Sequence, residues 1–93
     1  MSVQKNNLVI IGKKATLNYV TACLTLFHSG SNNVVLKARG QRISRAIETV
    51  QMLKNSFIKN LEIKDIQIGS QEYYKLGKLR NISTIEIVVS NSN

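Results

Sequence analysis

The chain has 93 residues, 43% apolar and 19% charged, and carries a net charge of +8 from 13 Lys and Arg against five Asp and Glu. That length reads as one domain over residues 1–93 and that apolar fraction excludes wholesale disorder; a chain this short buries only roughly 60–65% of its unfolded surface, so pairing with a second copy is a common source of added stability. No apolar run approaches the roughly 18 residues of a membrane span, the single cysteine excludes an internal disulfide and fits a cytoplasmic setting, and Cys and His are too few for a metal centre of that kind.

Lys5 is followed only by Leu8-Val9-Ile10-Ile11, which falls short of the apolar core of a signal peptide. Closed by Gly12, the same run reads as a short buried strand. After Lys13-Lys14, Thr16 is the expected cap of a helix. In that helix Leu17, Val20, Leu24 and Phe27 recur at helical spacing, Cys23 lies beside them as a core residue, and Gly30 ends it. His28, the only histidine, reads as a helix-end residue rather than a base.

Asn33 to Arg39 alternate, with Val34, Leu36 and Ala38 on one face and Val35, Lys37 and Arg39 on the other. Lys37 and Arg39 are therefore expected to project together from a strand end. Gly40 turns the chain, and Ile43, Ala46, Ile47, Val50, Leu53 and Phe57 mark a second amphipathic helix of about four turns. In the next run, Leu61, Ile63, Ile66 and Ile68, the apolar phase switches across Lys64-Asp65. A β-bulge, or a change of burial partner, explains such a switch. Ile85, Ile87 and Val89 mark the last strand, and residues 90–93 read as a frayed tail.

Between the last two strands, roughly residues 69–81 hold Lys75, Lys78 and Arg80 with Tyr73 and Tyr74, opposed by Glu72 alone, and Gly77 is the expected tip. A hairpin that outruns its apolar section reads as an arm. The order β-α-β-α-β-β predicts an α+β fold in two layers: a mixed four-stranded sheet, two helices, and an extended final hairpin.

Charge is placed unevenly along this order. Residues 1–47 contain seven basic residues and no acid, Glu48 being the first. Lys13, Lys14, Lys37, Arg39 and Arg42 cluster at two strand-to-helix corners, which lie side by side if the strands are parallel neighbours. Arg42 and Arg45 fall in the first turn of the second helix, where the dipole disfavours cations by roughly 0.3–1 kcal/mol each. The same position suits a bound phosphate. Asn18 and Tyr19 are further hydrogen-bonding candidates one turn into the first helix, with packing the alternative for Tyr19; Lys5 reads as incidental.

Catalytic readings are weak. Gly12-Lys13-Lys14-Ala15-Thr16 is no P-loop, because Asn7 stands where the leading glycine belongs and no Ser or Thr directly follows the lysines. Glu62 and Asp65 could pair in space, though the sequence does not show it, and no nucleophile, base and orienter assemble. An enzyme acting on phosphate esters would need a metal or a base, and neither is evident. No enzyme activity and no cofactor are expected, and nucleic acid is the preferred polyanion.

Five segments, in order, carry a resemblance. They are Val9-Ile10-Ile11-Gly12-Lys13-Lys14 with Leu17-Asn18-Tyr19-Val20, Val35-Leu36-Lys37-Ala38-Arg39-Gly40 with Ile43-Ser44, Leu61-Glu62-Ile63-Lys64-Asp65-Ile66, Gly69-Ser70-Gln71, and Ser83-Thr84-Ile85-Glu86-Ile87. Together they make the chain resemble the Alba family of small basic archaeal chromatin proteins. The resemblance implies a fold like the C-terminal domain of the third translation initiation factor. It implies a homodimer, or a heterodimer with a paralogue, that coats and compacts double-stranded DNA in the cytoplasm, on the archaeal nucleoid.

It also implies residue roles. Lys13 and Lys14, with Lys37 and Arg39, would meet the nucleic-acid backbone. The arms would bring Lys75, Lys78 and Arg80 to the minor groove. Lys13 would be the acetylated lysine, and Phe57 would join neighbouring dimers. RNA, including that of ribonuclease P particles, is the alternative ligand within the family. The chain departs from the family pattern in having Ala15 where Pro is frequent, Gln41 with Arg42 one position later than the usual basic residue, and Tyr73, Tyr74, Leu76 and Leu79 in the arm.

Overall fold

The computed structural model describes residues 7–91. Its elements are β1 (Leu8–Ile10), α1 (Thr16–His28), β2 (Asn33–Arg39), α2 (Ile43–Met52), β3 (Leu61–Lys75) and β4 (Lys78–Asn91). The sheet order is β1-β2-β4-β3, with β1 parallel to β2 and the remaining pairs antiparallel. This is the expected α+β architecture.

Alternation decides which face of the sheet is covered. Val34, Leu36 and Ala38 of β2 are buried, as are their partners Val89, Ile87 and Ile85 on β4. Val20, Cys23 and Phe27 of α1 and Ala46, Val50 and Leu53 of the second helical run complete one core with Val9 and Ile11. Burial pushes the Cys23 thiol up to about 12, as expected for a core cysteine.

Helix α1 ends where a glycine permits it. Gly30 adopts φ 108, its N–H donates to Phe27 O, and Ser31 N–H donates to Leu26 O. This pair of bonds is a Schellman closure. Its start differs from expectation: Ala15 is the capping position, without a side-chain cap bond. The Thr16 hydroxyl, one residue inside the helix, instead donates to Glu48 Oε1 at 3.2 Å.

The second helix runs without a break from Ile43 to Phe57, the expected about four turns, but its pitch changes along the way. Gly40–Arg42 form a tight 3₁₀ turn, α2 follows, and Leu53–Phe57 form a wider turn in which Ile58 N–H reaches Leu53 O at 2.7 Å. That widening leaves Phe57 half exposed. Ile47 and Leu17, expected on core faces, also lie at the surface.

β1 was expected to be buried throughout, but it is an edge strand. Val9 is buried, whereas Leu8 and Ile10 sit on the helix-free face, with Ile10 61% exposed. The phase switch in β3 is a bulge: the register shifts between Ile63 and Asp65. It sets Ile63 opposite Val89 and Ile66 opposite Ile87, so both point to the face that the helices cover elsewhere. Yet Ile63, Ile66 and Ile68 remain 50%, 52% and 82% exposed. The packing explains this. Among the element pairs in substantial contact, α1 lies on β1 and β2 and α2 on β2 and β4, and neither helix lies on β3.

The arm is paired to its end. β3 and β4 stay in register until Lys75 faces Lys78, leaving the loop Leu76-Gly77. Both loop residues take positive φ, 53 and 75, the geometry of a type I′ hairpin. Leucine in that region costs about 1–2 kcal/mol. Residues 90 and 91 depart from the frayed tail expected over 90–93: Ser90 is buried and paired with Asn33, and Asn91 pairs with Leu61. Residues 92–93 and Lys5 lie outside the described residues.

Candidate nucleic-acid interface

The parallel pairing of β1 with β2 sets Ile10 beside Lys37, and Ile11 N–H donates to Lys37 O at 2.8 Å. The two basic corners are therefore neighbours. Lys13, Lys14 and Asn18 are exposed at one, Lys37 and Arg39 at the other, with Arg42 half-buried between them. A β-carbon placed on Gly12 would lie 3.8 Å from Arg42 Nη1, so the guanidinium of one corner reaches the loop of the other.

Two side chains hold that loop. The Tyr19 hydroxyl accepts from the N–H of Gly12 at 2.8 Å and from the N–H of Lys14 at 3.0 Å. Arg45 Nη1 donates to the carbonyl of Gly12 at 2.9 Å. Tyr19 is buried and its hydroxyl faces the protein's own backbone, which favours the packing alternative for this residue. Arg45 likewise serves a backbone carbonyl rather than standing free for phosphate. Nothing local in the sequence relates Arg45 to Gly12, since they sit 33 positions apart.

Acidic residues temper both corners. Glu48 lies against the start of α1 through Thr16, where a carboxylate also suits the helix dipole. Glu86 stands opposite Lys37, 3.6 Å from its Nζ, with both side chains partly exposed. A surface pair of this kind contributes roughly 0–1 kcal/mol, so Glu86 holds Lys37 only loosely. Arg39 makes one long contact, 3.5 Å to Gln71 Oε1 at the root of the arm. Glu62 and Asp65 do not form a carboxylate pair: Glu62 bonds Lys64 at 3.1 Å and Asp65 accepts from Gln67.

The ladder also orients the arm. On the helix-free face, Arg39 stands opposite Thr84 and Thr84 opposite Gly69. Two residues at a time, the same side then carries Gln71 with Ile82, Tyr73 with Arg80, and Lys75 with Lys78. All three basic residues of the arm thus share a side of the ribbon with Lys37 and Arg39. The other side carries Glu72, Tyr74, Leu79 and Asn81. A shallow groove lined by Gly12, Lys37, Arg39, Arg42, Gln71 and Tyr73, among others, joins the corners to the arm. Phe57 lines a separate depression with Leu24, Phe27 and Ile58.

Comparison with known proteins gives one family. The sequence model described as Alba matches residues 6–70. Among solved structures, the chain is similar to Alba from Thermoplasma volcanium, with a TM-score of 0.86 and 33% identity over 90% of this chain and 99% of that one. It is also similar to ALBA1 from Trypanosoma brucei, with a TM-score of 0.78 and 27% identity over 98% of this chain and 74% of that one.

Proposed function

The chain belongs to the Alba family of non-enzymatic nucleic-acid-binding proteins, and on that premise we propose that it binds double-stranded DNA without reading its sequence and coats the duplex as a homodimer. The observation that carries this reading is the basic side of the ribbon that the end of β2 shares with the arm, with the lysine corner adjoining it. Lys13, Lys14 and Lys37 supply point charges, and Arg39 and Arg42 two guanidinium forks, to successive phosphates. Lys75, Lys78 and Arg80 continue the same side toward a groove. Asn18 adds a neutral hydrogen bond, and Tyr19 acts behind the surface.

Contacts of this kind go mainly to phosphates, so they position the protein without specifying a base. The affinity is then dominated by counterion release. With about six phosphates neutralised, it falls roughly 10³-fold between 50 and 200 mM salt. The test is a salt titration on several unrelated duplexes, repeated with Lys13→Glu combined with Lys14→Glu. The variant is expected to lose affinity on every sequence alike and to show a shallower salt slope. A loss restricted to certain sequences, or wild-type binding indifferent to salt, would refute the reading.

Acetylation of Lys13 removes one charge from the same loop and acts in the same direction, more mildly. The exposed isoleucines of β3 support a second copy as dimer partner, and exposed Phe57 supports a contact between adjacent dimers. A chromosome-associated protein follows if DNA is the cellular ligand. Crosslinking in cells and sequencing the recovered nucleic acid tests that, and recovery of RNA alone would move the assignment to RNA.

A further inference from the structure

The tip of the arm breaks two rules of hairpin design at one residue. Leu76 holds a positive φ of 53, in a turn whose two loop positions favour Asn, Asp and Gly. Its side chain is 92% exposed. A turn shaped only by stability and solubility would carry a small polar residue there. Leu76 also has apolar company: Tyr74 and Leu79, opposite each other in the ladder, are 75% and 53% exposed.

The surroundings indicate what such a tip meets. Lys75 and Lys78 close the loop on either side of Leu76, and Arg80 lies two residues further back. An apolar point framed by cations is poorly suited to a protein core, which would strand the lysines, and the basic end of β2 on the same side of the ribbon favours nucleic acid over a lipid surface. It is well suited to a nucleic-acid groove, where phosphates line both walls and base faces form the floor. The paired ribbon beyond Ser70 extends about 17–20 Å at the usual rise per residue, enough to enter a groove from a body seated on the backbone. The minor groove is only about 6 Å wide, which admits a two-residue turn more readily than a broader element.

We propose that Leu76 is a wedge that enters the minor groove and inserts between adjacent base pairs, unstacking the step and kinking the duplex. This rests on the reading above that duplex DNA is the ligand. Lys75 and Lys78 hold the phosphates on the two sides of the entered groove, and the leucine side chain replaces stacking surface that the kink exposes. Apolar side chains act in this way in minor-groove architectural proteins. Pyrimidine–purine steps unstack most easily, so the wedge settles at whichever such step lies within its reach, makes no base-specific hydrogen bond and leaves the affinity for mixed-sequence duplexes alike.

The test uses a duplex with 2-aminopurine beside a central TA step and a donor–acceptor pair at its ends. Wild-type protein is expected to raise the 2-aminopurine fluorescence and shorten the end-to-end distance. Leu76→Asn suits the turn better and keeps every charge. It is expected to bind about fivefold more weakly, the burial of one leucine being partly offset by unstacking, with an unchanged salt slope and neither optical signal. Leu76→Met is expected to keep both signals.

If Leu76→Asn retained the fluorescence rise and the bend, the wedge would be overturned. The same holds if wild-type protein bound with a normal salt slope but without either signal. A Leu76→Asn variant that changed only self-association would overturn it too, by making the tip a contact between protein copies. Wild-type protein that failed to bind duplex DNA at all would instead remove the ligand reading and the wedge with it.

Discussion

Tyr19 and Arg45 change what the lysine pair means at the residue scale. The Gly12 peptide is held through its N–H by α1 and through its carbonyl by α2, so Lys13 and Lys14 leave from a fixed backbone rather than a free turn. Replacing Tyr19 with Phe keeps the buried ring and removes the acceptor for two N–H groups. The expected result is a modest stability loss of about 1 kcal/mol, faster hydrogen exchange at the Gly12 and Lys14 amides, and several-fold weaker duplex binding. Exchange rates from NMR and a parallel binding titration check this. Unchanged affinity with accelerated exchange would mean that the loop's order does not matter to the ligand. The sequence showed Tyr19 as a polar-tipped residue on a helix. It could not show which way the hydroxyl faces, because its acceptor geometry depends on the loop folding back over it.

The critical joint at the element scale is between β2 and α2. Gly40 takes φ 60, and a β-carbon there would lie 2.8 Å from Ile82 Cδ1. The strand can therefore end in a tight turn directly beneath β4, and Arg39 and Arg42 emerge on either side of that turn. Gly40→Ala introduces left-handed strain and a close contact that only a shift of Ile82 relieves. The expected loss is about 1–2 kcal/mol, read as a lower melting temperature, together with weaker duplex binding because the two arginines are displaced. Normal binding at full folding would separate the arginines' placement from the glycine. The element order, the bulge after Ile63 and the tip at Gly77 were all legible in the sequence, since each has a local signature in periodicity or turn chemistry. The change of pitch at the end of the second helix was not. Leu53 to Phe57 continue the apolar spacing, and only packing decides that the turn widens.

At the scale of the whole molecule, β3 lacks a helix. Ile63, Ile66 and Ile68 form a row on the side where β2 and β4 are covered, and α2 leaves them open. A second copy placed there would cover them and set two basic sides within one assembly, which raises avidity without any new phosphate contact. Ile66→Lys is expected to shift the protein from dimer to monomer in sedimentation and to reduce duplex binding by at least tenfold, because both the paired surface and its avidity are lost. Phe57→Ala is expected to leave the dimer intact while lowering the cooperativity of coating in a binding isotherm. A dimer that survived Ile66→Lys would place the contact between copies elsewhere on the surface.

Periodicity, turn residues and charge are local properties, and they settled the fold class, the element order, the basic corners and the existence of an arm from the chain itself. Tertiary structure decided which charges are available. It paired Lys37 with Glu86, set Glu48 against the first corner, turned Arg45 inward to Gly12, and aligned Lys75, Lys78 and Arg80 with Lys37 and Arg39. These outcomes depend on residues brought together from 32 to nearly fifty positions apart. Their relation is set by strand register and helix packing, for which no short stretch of sequence carries a signal.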